Sequence, residues 1–175
     1  MVAAALHVLG GDAHQIEPVE GAGIVEVSDR AVTFSHPALR SCAYHGPSPA
    51  DRRRVHGAIA SVLGDQVARA WHLGQAALGP DREAASELST SGATLLQRHA
   101  PVEAARHLER AALLAPDPQD AAMLLRRAAE AMAETGRIGA SLDLLERADA
   151  LGHDATESVR REQLRLRLAP RGGAV

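Results

Sequence analysis

Lysine is absent from this chain, and aromatic residues are scarce. The 19 basic residues are all arginines and stand against 22 acidic residues, so the formal charge at pH 7 is −3. A balance of this kind gives no long-range attraction to nucleic acid or to anionic lipid, so neither is expected as a direct partner. Phe34, Tyr44 and Trp71 are the only aromatics among 175 residues. The core must therefore be built from Ala, Leu and Val, which favours closely packed helices over a sheet sandwich.

Cysteine and long apolar runs are also nearly missing. The single Cys42 cannot form an internal disulfide, and it fits the reducing cytosol. No apolar run approaches the roughly 20 residues that a membrane span needs. Residues 1–9 lack the positive flank and cleavage site of a signal peptide. We therefore predict a cytoplasmic protein that has no membrane partner.

A short β-hairpin is predicted near the start of the chain. Residues 24–27 and 31–34 are rich in Ile, Val and Phe, and Ser28, Asp29 and Arg30 between them suit a three-residue loop. Because an isolated hairpin is marginally stable in water, it is expected to pack against helices.

Helix starts are marked clearly after the hairpin. Ser35 or His36 can cap a helix that begins at Pro37, and Ser48 can cap one that begins at Pro49, because proline loses nothing at a first helical position. The helix from Pro49 to about residue 64 is expected to bury Val55, Ile59, Val62 and Leu63. Further caps, prolines and glycines predict helices over 66–78, 82–98, 101–115, 118–135, 138–151 and 155–168.

The second half of the chain contains an internal repeat. Leu-Glu-Arg-Ala at 108–111 recurs 37 residues later, at 145–148. The same shift superposes further positions, namely Leu88 on Leu125, Gly92 on Ala129, Leu95 on Met132 and Ala104 on Ser141. Each copy reads as two helices joined by a short turn, with small residues where the helices approach closely. The spacing of small and large residues resembles the tetratricopeptide repeat, and Pro116 lies where that family often has proline. A generic antiparallel helix array is the alternative.

The fold class predicted from these features is mainly α. It comprises a winged-helix-like remnant with a β-hairpin (1–64), a tetratricopeptide-like antiparallel helix array (65–168) and a disordered tail (169–175).

Several segments together resemble the large ATP-binding transcriptional regulators of the LuxR type. Residues 34–41 read Phe-Ser-His-Pro-Ala-Leu-Arg-Ser and resemble that family's Phe-x-His-Pro-Leu-x-Arg-Ser segment. Residues 50–56 read Ala-Asp-Arg-Arg-Arg-Val-His, and residues 70–73 read Ala-Trp-His-Leu, each similar to a later family segment. The repeat follows in the expected order.

The resemblance implies an internal piece of a regulator that has an ATPase module, a winged helix, a sensor array and a DNA-binding helix-turn-helix. No Gly-x-x-x-x-Gly-Lys-Ser/Thr loop is present, so this chain is expected to hold no cofactor, although the full-length family binds ATP or ADP. His36 lies near a winged-helix histidine that contacts the nucleotide phosphates in related proteins. The resemblance therefore makes His36 a candidate nucleotide contact in a full-length parent, and a simple helix cap is the other interpretation.

Other candidate sites are weaker. His56 and His72 lack a Cys or carboxylate cluster at ligand spacing, so no metal site is predicted. The arginines at 52–54 and on the last helix are read as solvated faces paired with nearby acids. Cys42 and His45 lack an orienting group, so no catalytic residue and no enzymatic activity are predicted.

The function predicted from the sequence is a non-catalytic regulatory or sensor segment of an ATP-dependent LuxR-type regulator. Its partners would be a protein or peptide, or the ATPase and DNA-binding domains. The alternative is a free-standing tetratricopeptide-like adaptor for protein–protein interaction. A stand-alone DNA-binding winged helix is a third possibility.

Overall fold

The contacts within the chain fall into two sets. The computed structural model describes residue 4 and residues 7–28, 32–151 and 154–169. Its two compact units are Met1–Leu78 and Gly79–Val175. Within the described residues, no helix is both long enough and apolar enough to cross a bilayer.

The N-terminal unit begins with short elements around the predicted hairpin. A 3-10 turn at Ala13–Ile16 leads into α1 (Glu17–Gly21), and strands β1 (Val25–Val27) and β2 (Val32–Phe34) follow. The strands are antiparallel, with Val25 opposite Phe34 and Val27 opposite Val32. Both predicted strands are confirmed, whereas residues 29–31 of the predicted loop lie outside the described residues.

Three helices complete this unit, and each begins at a predicted cap. They are α2 (Pro37–His45), α3 (Pro49–Val62) and α4 (Gln66–Ala76). His36, not Ser35, caps α2, because its Nδ1 accepts a hydrogen bond from the amide of Ala38 at 3.1 Å. Ser48 Oγ accepts from the amide of Asp51 at 3.1 Å and caps α3 in the same way.

The predicted burial of Val55 in α3 is wrong, since this side chain is 42% exposed. Helix α3 packs against α4 through another face, which carries His56 and Gly57. A Cβ built on Gly57 would lie 3.9 Å from the Cβ of Ala76. The fully buried residues of α3 are the small Ala58 and Ala60, while Ile59, Val62 and Leu63 are only half-buried. A period based on large apolar residues therefore misplaced the contact face.

The C-terminal unit consists of five helices, whose bounds repeat along the chain. They are α5 (Arg82–Gln97), α6 (Pro101–Leu114), α7 (Pro118–Glu134), α8 (Ile138–Leu151) and α9 (Ala155–Leu168). Helices α6 and α8 each contain 14 residues, and they begin and end 37 residues apart. Helices α5 to α8 each pack on the next one, and because three residues join each pair, neighbours run antiparallel.

Three aspartates mark the first helix of each successive unit. Asp81, Asp117 and Asp154 are the N-caps of α5, α7 and α9. In each case the carboxylate accepts a hydrogen bond from an amide of the first turn, at 3.0, 2.8 and 2.8 Å. These caps satisfy helix amides that would otherwise lack a partner, and they fix where each helix begins.

Positions related by the repeat occupy equivalent places in the core. Leu108 and Leu145 are fully buried, as are Ala104 and Ser141 and the pair Ala111 and Ala148. Gly92 meets α6 so closely that a Cβ there would lie 2.8 Å from the Cγ of Leu108. At the equivalent position, the carbonyl of Ala129 accepts a 2.8 Å hydrogen bond from Ser141 Oγ on α8. The small residues therefore lie at helix contacts, as the repeat predicts.

The predicted domain limits compare as follows with the structure. The sequence analysis places α4 with the repeats, whereas the compact units place it with α3, on the N-terminal side of Gly79. In the predicted tail, Ala169 is the C-cap of α9, and residues 170–175 lie outside the described residues.

Candidate functional site

A groove lies between the first helices of the two hairpins in the C-terminal unit. Its volume is about 380 Å³. Helix α5 contributes Arg82, Ala85, Ser86, Ser89 and Thr90, helix α7 contributes Asp120, Met123 and Leu124, and the connection before α7 contributes Ala115 and Pro116.

Two contacts set the spacing of the groove walls. The guanidinium of Arg127 on α7 donates a 2.9 Å hydrogen bond to Ser89 Oγ on α5. At one end, the amide of Asp81 donates to the carbonyl of Leu114 at 2.7 Å. The first helices of successive hairpins are therefore held side by side with a polar floor between them.

The groove has the chemistry of a peptide-binding surface. Exposed Ser86 and Thr90 can donate to or accept from an extended backbone, and Arg82 and Asp120 place opposite charges near one end. Met123 offers a flexible apolar side chain that adapts to different partners.

A buried polar contact supports the α5–α6 hairpin behind the groove. Ser91 Oγ and His107 Nδ1 are 2.9 Å apart, and both residues are buried. Burial lowers the pKa of His107, so the neutral imidazole is the form that the hairpin accommodates. The sequence analysis missed this pair, although the 16-residue separation fits two antiparallel helices with a short turn.

In the N-terminal unit, the structure brings together the two histidines that the sequence analysis considered. Nδ1 of His56 on α3 lies 2.9 Å from Nδ1 of His72 on α4. The hydroxyl of Tyr44 lies 3.5 Å from Nε2 of His56, and the guanidinium of Arg52 lies 5.9 Å from the centre of the Tyr44 ring.

The charge state of this histidine pair is set by its surroundings. Burial lowers the pKa of His56, with a further decrease from the nearby His72, and burial also lowers the pKa of His72. A hydrogen bond between two Nδ1 atoms needs one protonated and one free nitrogen, which neutral imidazoles provide. Among the described residues, no group of three His, Cys, Asp or Glu side chains could hold a metal ion. The pair is therefore a structural link between α3 and α4.

A second, more open cavity of about 600 Å³ lies beside α2. Its lining comprises Phe34, Pro37, Arg40, Ser41, Ala43, Tyr44 and His45. His36 caps α2 through Nδ1 and does not belong to that lining, so its suggested nucleotide contact stays a prediction. Cys42 is exposed on the same helix, and the ring of His45 stacks edge-on against Tyr44 with centroids 5.0 Å apart.

The arginines of α9 differ from the solvated face that the sequence predicts. Arg160 pairs with Glu157 at 2.6 Å and Arg165 with Glu162 at 3.5 Å, as expected from their spacing. Arg161, however, is only 1% exposed, and its Nε lies 2.7 Å from Asp149 on α8. The one available signal was its position three residues before Leu164, on the helix face that becomes buried.

Glu157 connects α9 to α7. Its carboxylate receives hydrogen bonds of 2.6 Å from both Arg126 and Arg160. Burial alone would raise the pKa of Glu157, but these two arginines hold it below its ordinary value. Because this side chain pairs with arginines, it does not close the capping box that its position after Asp154 suggests.

Comparisons with known proteins found no matching family model, no similar curated protein and no similar solved structure. The class of protein is therefore stated from the fold alone. The chain is mainly helical and carries a small antiparallel two-stranded hairpin.

Proposed function

We propose that this chain is a non-catalytic regulatory segment whose tetratricopeptide-like helix array binds a protein or peptide. The observation that carries the proposal is the groove between α5 and α7, whose walls are the equivalent helices of two successive hairpins. In arrays of this architecture, the stacked helix pairs form extended concave surfaces that bind other proteins.

Membership of a LuxR-type regulator is the more specific part of the proposal. It is supported by the order of elements after the hairpin. An exposed helix begins at a His-Pro pair, an arginine-rich helix and the Trp-His helix follow, and the helix array comes last. In such a regulator the array would pass a binding event to ATPase and DNA-binding domains, and His36 would face the nucleotide there.

A free-standing adaptor is the second candidate, and the groove itself favours it. The residues that line the groove belong to α5, α7 and their connection within one compact unit. Binding there needs no other domain. The coding DNA on either side of this sequence separates the two candidates. An adjacent phosphate-loop ATPase and a helix-turn-helix favour the regulator, and the lack of both favours the adaptor.

Peptide selection tests the groove directly. A library of random 12-residue peptides is selected against the chain, and the affinities of the selected peptides are measured by fluorescence anisotropy. Met123→Glu places a charge in the groove and is expected to weaken binding at least tenfold. Leu113→Glu is the matched control, because Leu113 is exposed on α6 and lies outside the groove. Peptides that bind both variants equally well would contradict the proposal.

A further inference from the structure

Helix α9 occupies the place of the first helix in a third hairpin. It begins at Ala155, which lies 37 residues after Pro118, the first residue of α7. Its cap is an aspartate, as in α5 and α7. The repeat therefore indicates which face of α9 corresponds to which face of α5 and α7.

In α5 and α7, one stripe of small residues receives the second helix of the hairpin. On α5 it contains Gly92, which meets Leu108 of α6, and Ala85 seven residues earlier. On α7 it contains Ala129, which accepts the hydrogen bond from α8, and Ala122 seven residues earlier. Since seven residues make nearly two helical turns, both members of each pair lie on one face. Ala85, Gly92, Ala122 and Ala129 are all buried.

The equivalent stripe on α9 is apolar but uncovered. Shifting Ala122 and Ala129 by 37 residues gives Val159 and Leu166, which are 56% and 69% exposed. The opposite face of α9 is the one in contact, since Arg161 and Leu164 there are buried. Helix α9 is thus attached by one face and presents the other, the face that in α5 and α7 holds a second helix.

We propose that the stripe Val159 and Leu166 binds an amphipathic helix of another protein, in the way that α5 binds α6 and α7 binds α8. Its contact face would follow the pattern that those two helices share, in which a small residue precedes a leucine by four positions and a second small residue follows three positions later. In α8 these residues are Ser141, Leu145 and Ala148.

One charge on the stripe specifies the partner further. The exposed Glu162 lies 37 residues after the buried Leu125, in the middle of the stripe. In an antiparallel helix pair this position meets the residue one turn beyond the central leucine, which is Ala148 in α8. A partner helix with lysine or arginine at that point gains an ion pair with Glu162.

The probe is a labelled peptide with the sequence of residues 138–151, blocked at both ends and carrying lysine in place of Ala148. Its binding to the full chain is followed by fluorescence anisotropy up to 1 mM. We expect saturable binding, with at least threefold weaker binding of the peptide that keeps alanine. Val159→Asp and Leu166→Asp in the protein should each weaken binding at least tenfold. Leu113→Asp should stay within twofold of the parent, because it removes a leucine of similar exposure (62%) on α6.

Three results would overturn the proposal. They are no saturable binding of the lysine peptide, equal losses in all three protein variants, and binding that ignores Val159→Asp, as exchange with the chain's own α8 would produce. A concentration-dependent dimer in light scattering that Val159→Asp abolishes would assign the face to a second copy. Helical melts of the variants confirm that they fold. The groove lies on other residues, so Met123→Glu and Val159→Asp report separately on the two surfaces.

Discussion

Replacing Gly92 by alanine is the sharpest test of close helix packing in the first hairpin. The added Cβ would lie 2.8 Å from the Cγ and 3.0 Å from the Cδ2 of Leu108. Because Leu108 is fully buried, it cannot swing into solvent, and overpacking of this kind costs roughly 1–3 kcal/mol. Alanine in a helix interior recovers about 0.5–1 kcal/mol relative to glycine. We therefore expect a net destabilisation of about 1 kcal/mol.

Gly139→Ala is the matched control for this substitution. Gly139 is also helical, but a Cβ there meets nothing within 4 Å, so the variant should gain up to about 1 kcal/mol in stability. Urea unfolding followed by circular dichroism at 222 nm measures both. With slopes of about 1–3 kcal/mol per molar urea, a change of 1 kcal/mol moves the midpoint by roughly 0.3–1 M. A Gly92→Ala protein as stable as Gly139→Ala would refute the close approach of α5 and α6.

Three further substitutions or conditions probe the array and the N-terminal unit. Ala111→Leu and Ala148→Leu should each destabilise by roughly 1–3 kcal/mol through overpacking, and two variants that melt like the parent would show that the repeat register is wrong. Glu157→Gln should lower amide protection in α9 about tenfold, or roughly 1.4 kcal/mol, in hydrogen exchange. Protection unchanged from the parent would exclude the ion pair as its anchor. Because the pKa values of His56 and His72 are lowered from 6.5, their contribution is complete above about pH 6.5 and is lost as the pH falls toward 5. Urea midpoints read by the fluorescence of the single tryptophan should follow that change, and equal midpoints at pH 7 and pH 5 would contradict it.

Helix boundaries could be predicted from the sequence because they depend on local chemistry. A side chain that accepts from its own first turn, as Ser48 and Asp81 do, works over two or three residues whatever the tertiary fold. The 37-residue repeat added tertiary information, since Gly92 and Ala129 could be assigned to helix contacts from their alignment alone. Their burial confirms that assignment.

Features that depend on the neighbour of a helix could not be predicted in this way. Val55 has the right residue type and spacing for a core position, but α3 contacts α4 through smaller residues on another face. Arg161 has the composition of a surface residue, and only the position of Asp149 on α8 explains its burial. The groove was not predicted at all as a set of residues, because it depends on which sides of α5 and α7 meet.

The attachment of α9 differs in kind from that of α7, and the difference bears on what α9 does. The buried Ala112 of α6 and Leu124 of α7 have Asp149 and Arg161 as their counterparts 37 residues later, so an ionic contact stands at positions that are apolar in the preceding unit. Buried ion pairs add little net stability compared with apolar packing, but they are specific in geometry. Glu157 reinforces this arrangement at the other end of the helix. Helix α9 is therefore oriented more by charge than by apolar burial, and this orientation leaves its apolar stripe facing outward.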